Sequence, residues 1–195
     1  MNDLEKMRAG RWLHAVTPEI GAALLRAEEL CFRLNQLPPS RREEREAIIR
    51  QLFARVGEAP CLHSPFHCDF GTQISVGDHF VGNFHLTILD EAPVTIGNHV
   101  YIGPNVGIYT VHHALLADQR NEGIMQSLPV EIHDNVWIGG NVVILRGVTI
   151  GEGAVIGAGS VVTHDIPPRV IAAGNPCRVL RPLTEADRIA ASEID

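Results

Sequence analysis

The sequence predicts a mainly β protein, a parallel β-helix with three-sided coils that follows a helical N-terminal segment. Two observations support this prediction. Aliphatic residues recur every six positions through the C-terminal half, and an amphipathic, charge-rich segment without this period precedes them. A period of six fits neither an α-helix, which repeats about every 3.6 residues, nor an isolated strand, which alternates about every 2. It fits a coil of three short strands in which one aliphatic side chain per hexapeptide points inward.

The repeat is unbroken over six consecutive hexapeptides. Glycine often follows the aliphatic residue, as expected where a coil turns a tight corner. The same phase occurs upstream from Ile96 to Ile108 and is kept across the four hexapeptide lengths that separate Ile108 from Ile132. A weaker copy from Ile74 to Leu86 has a different phase. We expect roughly five or six stacked layers about 4.8 Å apart. The in-phase aliphatic residues are Ile132, Ile138, Ile144, Ile150, Ile156 and Val162.

The pattern divides the chain into three segments. Residues 1–58 are predicted to form a helical hood, in which a first helix ends at Pro38 and the charged run 41–46 is the solvated face of a second helix. Residues 59–175 are predicted to form the β-helix. Residues 176–195 are predicted to form a C-terminal extension with a short helix.

The composition excludes several classes of function. The net charge is −7, from 16 basic and 23 acidic residues, which gives no general reason to bind nucleic acid or an anionic membrane. No apolar run approaches the roughly 18 residues of a membrane-spanning helix, and the polar N-terminus does not resemble a secretory signal. Four widely spaced cysteines without a Cys-x-x-Cys motif favour reduced thiols. We therefore expect a cytoplasmic protein.

One long segment, residues 109–129, breaks the hexapeptide pattern and is predicted to protrude from the coil as a loop. Loops of this length in a compact repeat are usually functional. This one opens with His112 and His113, and an imidazole titrates close enough to neutral pH to transfer protons. The segment is therefore a candidate catalytic loop.

Polar residues at the predicted corners are candidate ligand contacts. Asn83 could orient a ligand hydroxyl group, and the acids Asp69, Asp90 and Glu91 could bind sugar hydroxyls. Ten histidines leave open a zinc site made by three of them, which would indicate a hydratase. A β-helix that serves only as a scaffold or binding module is a further alternative.

Several short motifs narrow these alternatives when they are taken together with the hood and the loop histidine. They lie at 56–58, 82–84, 135–140, 147–151, 157–163 and 174–178. With them the chain resembles the galactoside/maltose O-acetyltransferases, which are hexapeptide-repeat acyltransferases. The resemblance covers about residues 5–183. It implies a left-handed parallel β-helix, a homotrimer with active sites between adjacent coils, and acetyl-CoA as co-substrate without a metal.

The resemblance also assigns functions to individual residues. It implies His113 as the general base and Asn83 as the residue that orients the acceptor, with further acceptor contacts at Asp69 and Glu91. The implied reaction transfers acetyl from acetyl-CoA to a hydroxyl group of a sugar or glycoside. A same-fold acyltransferase with a non-sugar acceptor, such as a xenobiotic, serine or an amino sugar, is the alternative, followed by a γ-carbonic-anhydrase-like zinc protein or a silent scaffold. The implied acetyl-CoA contacts are Gly140, Ala158, Thr163, His164, Arg178 and Arg181.

The sequence departs from the family pattern at four positions. Ala114 follows the catalytic histidine where the family commonly has proline, and this leaves His112 as an alternative base. Ala15 stands where the galactoside enzyme has an acidic residue that contacts the acceptor. Met125 stands where many relatives have an acid, and His164 where the family often has lysine.

Overall fold

The computed structural model describes residues 1–14 and 17–194. Ala15, the acceptor-contact position discussed above, lies outside these residues. Within them, no helix is long and apolar enough to cross a membrane. The helices are α1 (Asp3–Arg8), α2 (Pro18–Gln36), α3 (Arg42–Leu52) and α4 (Ala117–Asn121), and two 3-10 helices span Glu185–Asp187 and Ala191–Glu193.

Three parallel sheets form the faces of a β-helix, with strands numbered along the chain. Sheet 1 contains β2 (Arg55–Val56), β5 (Ile74–Val76), β8 (Val94–Ile96), β13 (Val130–Ile132) and β16 (Thr149–Ile150). Sheet 2 contains β3 (Cys61–Leu62), β6 (Val81–Gly82), β9 (Tyr101–Ile102), β14 (Trp137–Ile138), β17 (Val155–Ile156), β19 (Val170–Ala173) and the antiparallel β20 (Arg178–Pro182). Sheet 3 contains β4 (Phe66–Cys68), β7 (Leu86–Leu89), β10 (Gly107–Tyr109), β15 (Val143–Leu145) and β18 (Val161–Val162).

The chain visits sheets 1, 2 and 3 in turn, so each coil has three corners. We call the corner between sheets 1 and 2 the first corner, that between sheets 2 and 3 the second, and that between sheet 3 and the next strand of sheet 1 the third. The predicted fold class is confirmed: a left-handed parallel β-helix of about six turns with N-terminal helices and a short C-terminal helix.

The periodic aliphatic residues stack in the core as predicted. Ile132 pairs in register with Ile96 on one side and Ile150 on the other, and Ile108 pairs with Ile144. All five side chains are buried. Burying one such side chain contributes about 1.5–3 kcal/mol, so each stacked residue stabilises the coil.

The different phase of the upstream copy has a structural cause. Each hexapeptide has two buried positions, two residues apart. Ile74 occupies the first of them, because it pairs with Val94, whereas Val76 pairs with Ile96. Between Ile88 and Ile96 the interval is eight residues instead of six. The two extra residues lie at the third corner, where Glu91 is located. The phase shift therefore marks a wider third corner in the early coils.

The hood packs onto the first coils and shares their core. Buried side chains of α2 and α3, among them Leu34 and Leu52, belong to the same apolar cluster as the stacked isoleucines. The first strand of the β-helix, β2, falls within the predicted hood range 1–58 but pairs with β5 as part of sheet 1. The hood thus continues directly into the β-helix.

The prediction that 41–46 is a solvated helix face is wrong for Arg45. This residue is only 9% exposed. Its guanidinium donates to the carbonyl oxygens of Leu34, Leu37 and Leu62 at 3.0, 3.3 and 3.1 Å and to Ser64 Oγ at 2.8 Å. Because these acceptors belong to the end of α2 and to the first coil, Arg45 joins the hood to the β-helix.

The predicted loop protrudes as a β-hairpin, which we call the protruding hairpin (residues 110–128). It contains β11 (Val111–His113), the short helix α4 and β12 (Ile124–Ser127). A short N-terminal strand, β1 (Leu13–His14), pairs with β12 and completes a three-stranded sheet in the order β1–β12–β11. The N-terminal region is therefore not one continuous helical hood, because α1 ends before Gly10, which has a φ of 65°.

Candidate active site

The third corner brings together several of the predicted site residues. Asp69 and Glu91 stand at this corner in successive early coils, one residue after β4 and two residues after β7. The protruding hairpin, which carries His113, leaves the β-helix at the same corner one coil later. Thr163 and His164 follow β18 at this corner further along the stack. The order of the strands therefore places the candidate base at the same corner as the candidate acceptor contacts.

The other predicted site residues of the β-helix lie at the second corner. Asn83 follows β6, Gly140 follows β14, and Ala158 follows β17. Within one chain, sheet 3 therefore separates Asn83 and Gly140 from His113. A single copy does not bring the asparagine and the histidine together.

His112 and His113 have different surroundings. Side chains alternate along a strand, so the two imidazoles lie on opposite faces of β11. His112 is half-buried, with its Nε2 3.3 Å from Gln126 Oε1 and its ring 4.9 Å from the Trp12 ring in an edge-on arrangement. His113 is exposed and makes no side-chain hydrogen bond to any described residue. Of the pair, His113 is the imidazole with both ring nitrogens free of hydrogen bonds to the described residues.

Asp69 and Glu91 form a carboxyl pair. Burial, followed by the charge of Asp69, raises the pKa of Glu91 to about 9, and burial also raises the pKa of Asp69. Glu91 Oε2 is buried without a hydrogen-bond partner among the described residues. Neither acid forms an ion pair with a described basic residue. The pair therefore holds a proton at neutral pH and offers both a donor and acceptors to a ligand.

Asp90, which the sequence suggested as a sugar contact, is not available for one. It is completely buried and accepts hydrogen bonds from the backbone N–H groups of Asp69, Phe70 and Gln73 at 3.1, 2.8 and 3.2 Å. Desolvation, only partly offset by these N–H groups, raises its pKa to about 6. Its carboxylate shapes the wide third corner and so positions Asp69.

Asn83 is half-buried and its side chain is partly engaged. Its Oδ1 accepts a hydrogen bond from the N–H of Phe84 at 2.8 Å, which fixes the orientation of the amide. The amide nitrogen makes no hydrogen bond to a described residue and can donate to a ligand. Phe84 is exposed beside it and packs against His63 with ring centres 4.7 Å apart.

Small residues leave room along the second corner beside two exposed aromatic rings. Tyr101 and Trp137 pair in register on sheet 2, and they are 51% and 57% exposed. The N–H of Gly140 has no acceptor among the described residues, unlike its neighbour Gly139, which donates to Ile156. A Cβ on Gly103 would lie 2.6 Å from the Gly140 nitrogen. Glycine at 103 therefore keeps this N–H accessible. The surface along the second corner, beside the two aromatic rings, fits an extended, partly apolar ligand.

Four of the implied acetyl-CoA contacts lie at the far end of the β-helix, namely Thr163, His164, Arg178 and Arg181. Arg178 is exposed and donates only to the carbonyl of Cys177, at 2.8 Å, among the described residues. Arg181 forms a two-bond ion pair with Asp187 at 2.8 and 2.6 Å, which lowers the pKa of that carboxyl. Thr163 Oγ1 lies 2.8 Å from His164 Nδ1. Arg178 thus has free donors for an anion, whereas Arg181 shares its donors with Asp187.

The contacts that support the hairpin were not predicted from the sequence. Gln126 contacts His112 and also donates from Nε2 to the carbonyl of Gly10 at 2.9 Å. Met125 is buried in a small cluster with Met7, Leu13, Ile20 and Phe70. A two-residue strand such as β1 has no detectable periodicity, so its sequence carried no signal for these contacts.

A zinc hydratase would require several converging ligands. Over residues 1–14 and 17–194, no group of three or more His, Cys, Asp and Glu side chains is arranged to hold a metal ion. The His79 and His99 rings stack at 4.8 Å at the first corner, but no further ligand joins them there within those ranges.

Comparisons with known proteins agree with this geometry. Residues 6–57 match the maltose acetyltransferase hexapeptide capping motif, and residues 129–164 match six bacterial transferase hexapeptides. The chain is 44% identical to the galactoside O-acetyltransferase of Escherichia coli over 184 residues, which are 94% of this chain and 91% of that protein.

Solved structures superpose over nearly the whole chain. A maltose O-acetyltransferase from Clostridium difficile has a TM-score of 0.93 at 43% identity, with 95% of this chain and 99% of that chain covered. A galactoside acetyltransferase in complex with coenzyme A also has a TM-score of 0.93 at 43% identity, with 98% and 96% covered. A Vibrio cholerae hexapeptide-repeat acetyltransferase complexed with acetyl coenzyme A has a TM-score of 0.88 at 43% identity, with 94% and 100% covered. The chain therefore belongs to the galactoside and maltose O-acetyltransferase family of hexapeptide-repeat acetyltransferases.

Proposed function

We propose that this protein transfers acetyl from acetyl-CoA to a hydroxyl group of a sugar or glycoside, with His113 as the general base. The observation that carries the proposal is the exposed His113 imidazole, free of protein hydrogen bonds among the described residues, on a hairpin that leaves the coil at the corner of Asp69 and Glu91. Membership in the family supplies the reaction class.

The base is His113 rather than His112. His112 Nε2 is directed at Gln126, and Trp12 covers part of its ring. A base must reach the proton of the acceptor directly or through one water, which favours the exposed ring. In this mechanism His113 accepts the proton of the attacking hydroxyl and returns it to the departing sulfur of CoA.

The acceptor binds at the third corner through Asp69 and Glu91, with Asn83 orienting the reacting end. The pair shares one proton, so it both donates to and accepts from neighbouring hydroxyls of a sugar. The free amide N–H group of Asn83 donates to the acceptor oxygen and keeps it aligned for attack.

Acetyl-CoA lies along the second corner. Gly140 and Ala158 leave space for the pantetheine arm beside the exposed Tyr101 and Trp137. The N–H of Gly140, which has no acceptor among the described residues, donates to the oxyanion that develops on the carbonyl. Thr163, His164, Arg178 and Arg181 contact the CoA end, and Arg178 offers free donors for a phosphate.

The complete site requires a homotrimer. His113 and the acceptor pair are on the third corner, whereas Asn83 and Gly140 are on the second, and these two corners border sheet 3. The described strands of sheet 3 contain no Asp, Glu, Lys or Arg, which suits burial around a threefold axis. When sheet 3 faces that axis, the second corner of one copy meets the third corner of the next, and a proximity-driven transfer between bound substrates becomes possible.

An acceptor that carries an amino group is a second candidate. The Asp69–Glu91 pair is unneutralised by any described basic side chain, and an ammonium group in this position would replace the shared proton. Such an acceptor would gain charge-assisted hydrogen bonds that a neutral sugar lacks.

A thiol-release assay with acetyl-CoA and a panel of sugars tests the proposal. The panel contains glucose, maltose, a galactoside and glucosamine, and release is compared with hydrolysis without acceptor. We expect release above hydrolysis with at least one member. A preference for glucosamine over glucose that is lost in Asp69→Asn would favour the amino acceptor. No release with any member would contradict the proposal.

A further inference from the structure

The N-terminal arm, defined as residues 1–14, is built into the protruding hairpin. Leu13 lies opposite Met125 and His14 opposite Ile124 in the β1–β12 ladder. His14 Nδ1 also lies 2.8 Å from the carbonyl oxygen of Glu122, so this nitrogen carries the hydrogen of the bond. The hairpin that carries the base is therefore braced from outside the β-helix.

A side-chain bridge through Gln126 connects the arm to the strand of the base. The Gly10 carbonyl can only accept, so the Gln126 Nε2 group donates to it, at 2.9 Å. The Oε1 atom of the same amide then faces His112, whose Nε2 lies 3.3 Å away. An amide oxygen only accepts, so His112 Nε2 must carry the hydrogen.

The bridge holds the His112 ring in one orientation. Trp12, which belongs to the same arm, packs edge-on against this ring at 4.9 Å with an angle of 63° between the planes. Gln126 stands directly opposite His112 in the ladder, and His113 is the next residue on the same strand. β11 is an edge strand of the three-stranded sheet, so it has backbone partners on one side only.

Opposite faces of this sheet have different functions. His113 shares its face with Met125 and Leu13. Met125 belongs to the same buried cluster as Phe70, the residue that follows Asp69. The face with His112 and Gln126 holds the strand in place. The face with His113 is turned to the third corner.

We propose that Gln126 is a positioning residue for His113: it ties His112, and with it the edge strand β11, to the N-terminal arm, so that His113 is held at a fixed height above the third corner. The inference rests on the proposed function, because it takes His113 as the base. It adds that the arm and Gln126, outside the β-helix, set the geometry of proton transfer.

The test compares Gln126→Leu with Gln119→Leu, a matched change at an exposed position of α4. A misplacement of about 1 Å can cost about 100-fold in rate, so we expect Gln126→Leu to lower kcat by about 10- to 100-fold. The KM for acetyl-CoA is expected to stay within about twofold of the wild type, because the proposed CoA contacts lie elsewhere. Gln119→Leu is expected to leave both constants unchanged.

A double-mutant cycle with His112→Phe isolates the bridge. If Gln126 acts through His112, each single variant loses a similar factor in kcat and the double variant loses no more than either. Losses that multiply in the double variant would overturn the proposal, as would a Gln126→Leu enzyme with wild-type kcat, or one that changes only KM. Should Gln126→Leu fail to fold by circular dichroism, Trp12→Leu takes its place in the cycle, because Trp12 is half exposed and contacts the same ring.

The His113→Ala variant distinguishes a failure of the proposed role of Gln126 from a failure of the base assignment. An inactive His113→Ala together with a fully active Gln126→Leu would overturn only the role of Gln126. A His113→Ala enzyme that keeps its turnover would overturn both the base assignment and this inference.

Discussion

Replacing Arg45 with methionine measures how strongly the hood is fixed to the β-helix. The guanidinium has two buried backbone acceptors, the carbonyls of Leu34 and Leu62, at 3.0 and 3.1 Å. A buried acceptor left without a donor costs about 1–3 kcal/mol. The Leu34 carbonyl would keep only Ser64 Oγ, at 3.5 Å, so the two carbonyls together cost at most about 6 kcal/mol. Methionine keeps an apolar stem at the site, and removing a desolvated charge offsets part of the loss. We therefore expect Arg45→Met to lower the free energy of unfolding by about 2–4 kcal/mol.

Urea unfolding followed by circular dichroism at the helix band is the suitable assay, because α2 and α3 provide most of the helical signal. Arg42→Met is the matched control on the same helix, since Arg42 is exposed and makes no side-chain hydrogen bond within the described residues. The control is expected to stay within about 0.5 kcal/mol of the wild type. If Arg45→Met lies within about 1 kcal/mol of the control, the two carbonyls do not depend on the guanidinium and the reasoning fails.

Three further predictions concern the site. His113→Ala is expected to lower kcat by about 10²–10⁴-fold in the thiol-release assay, and more than His112→Phe does; the reverse order would make His112 the base. Folding raises the pKa of Glu91 from 4.5 to about 9. Between these two values the folded protein holds a proton that the unfolded chain has lost, so the stability of the protein falls as the pH rises through this interval. Glu91→Gln removes this slope, so between about pH 5 and pH 8.5 the thermal midpoint of the wild type should fall relative to that of the variant, and a constant difference would contradict the shift. Gly103→Ala would place a Cβ 2.6 Å from the Gly140 nitrogen, and we expect a loss of at least about tenfold in kcat/KM for acetyl-CoA; unchanged kinetics would exclude Gly140 from the site.

The fold could be predicted from the sequence because a parallel coil places equivalent residues in direct contact. Ile132 stacks between Ile96 and Ile150, so the spacing along the chain reports the packing itself. The position of Arg45 could not be predicted in this way. Its acceptors are mainly backbone carbonyls, and these leave no side-chain pattern that distinguishes a buried arginine from the solvated charges around it.

The site was predictable only in part. The resemblance assigned His113, but its distinction from His112 depends on Gln126 and the short strand β1, whose pairing is set by the hairpin. Asp69 and Glu91 come together because the third corner is wider in the early coils. The eight-residue interval between Ile88 and Ile96 indicates this wider corner in the sequence. The raised pKa values of the two acids could not be predicted from the sequence, because they depend on the burial of both carboxyl groups in the folded protein.

Mixing two impaired variants tests most directly whether the site is shared between copies. His113→Ala and Asn83→Ala chains are co-expressed with different tags, and the mixed oligomers are isolated by both tags in sequence. A site is intact when His113 comes from an Asn83→Ala chain and Asn83 from a His113→Ala chain. Every mixed trimer contains one such site among its three, so the isolated mixed oligomers should show about a third of the wild-type turnover. Activity no higher than that of the two parent variants would show that both residues act within one chain, and would contradict a site formed between adjacent corners.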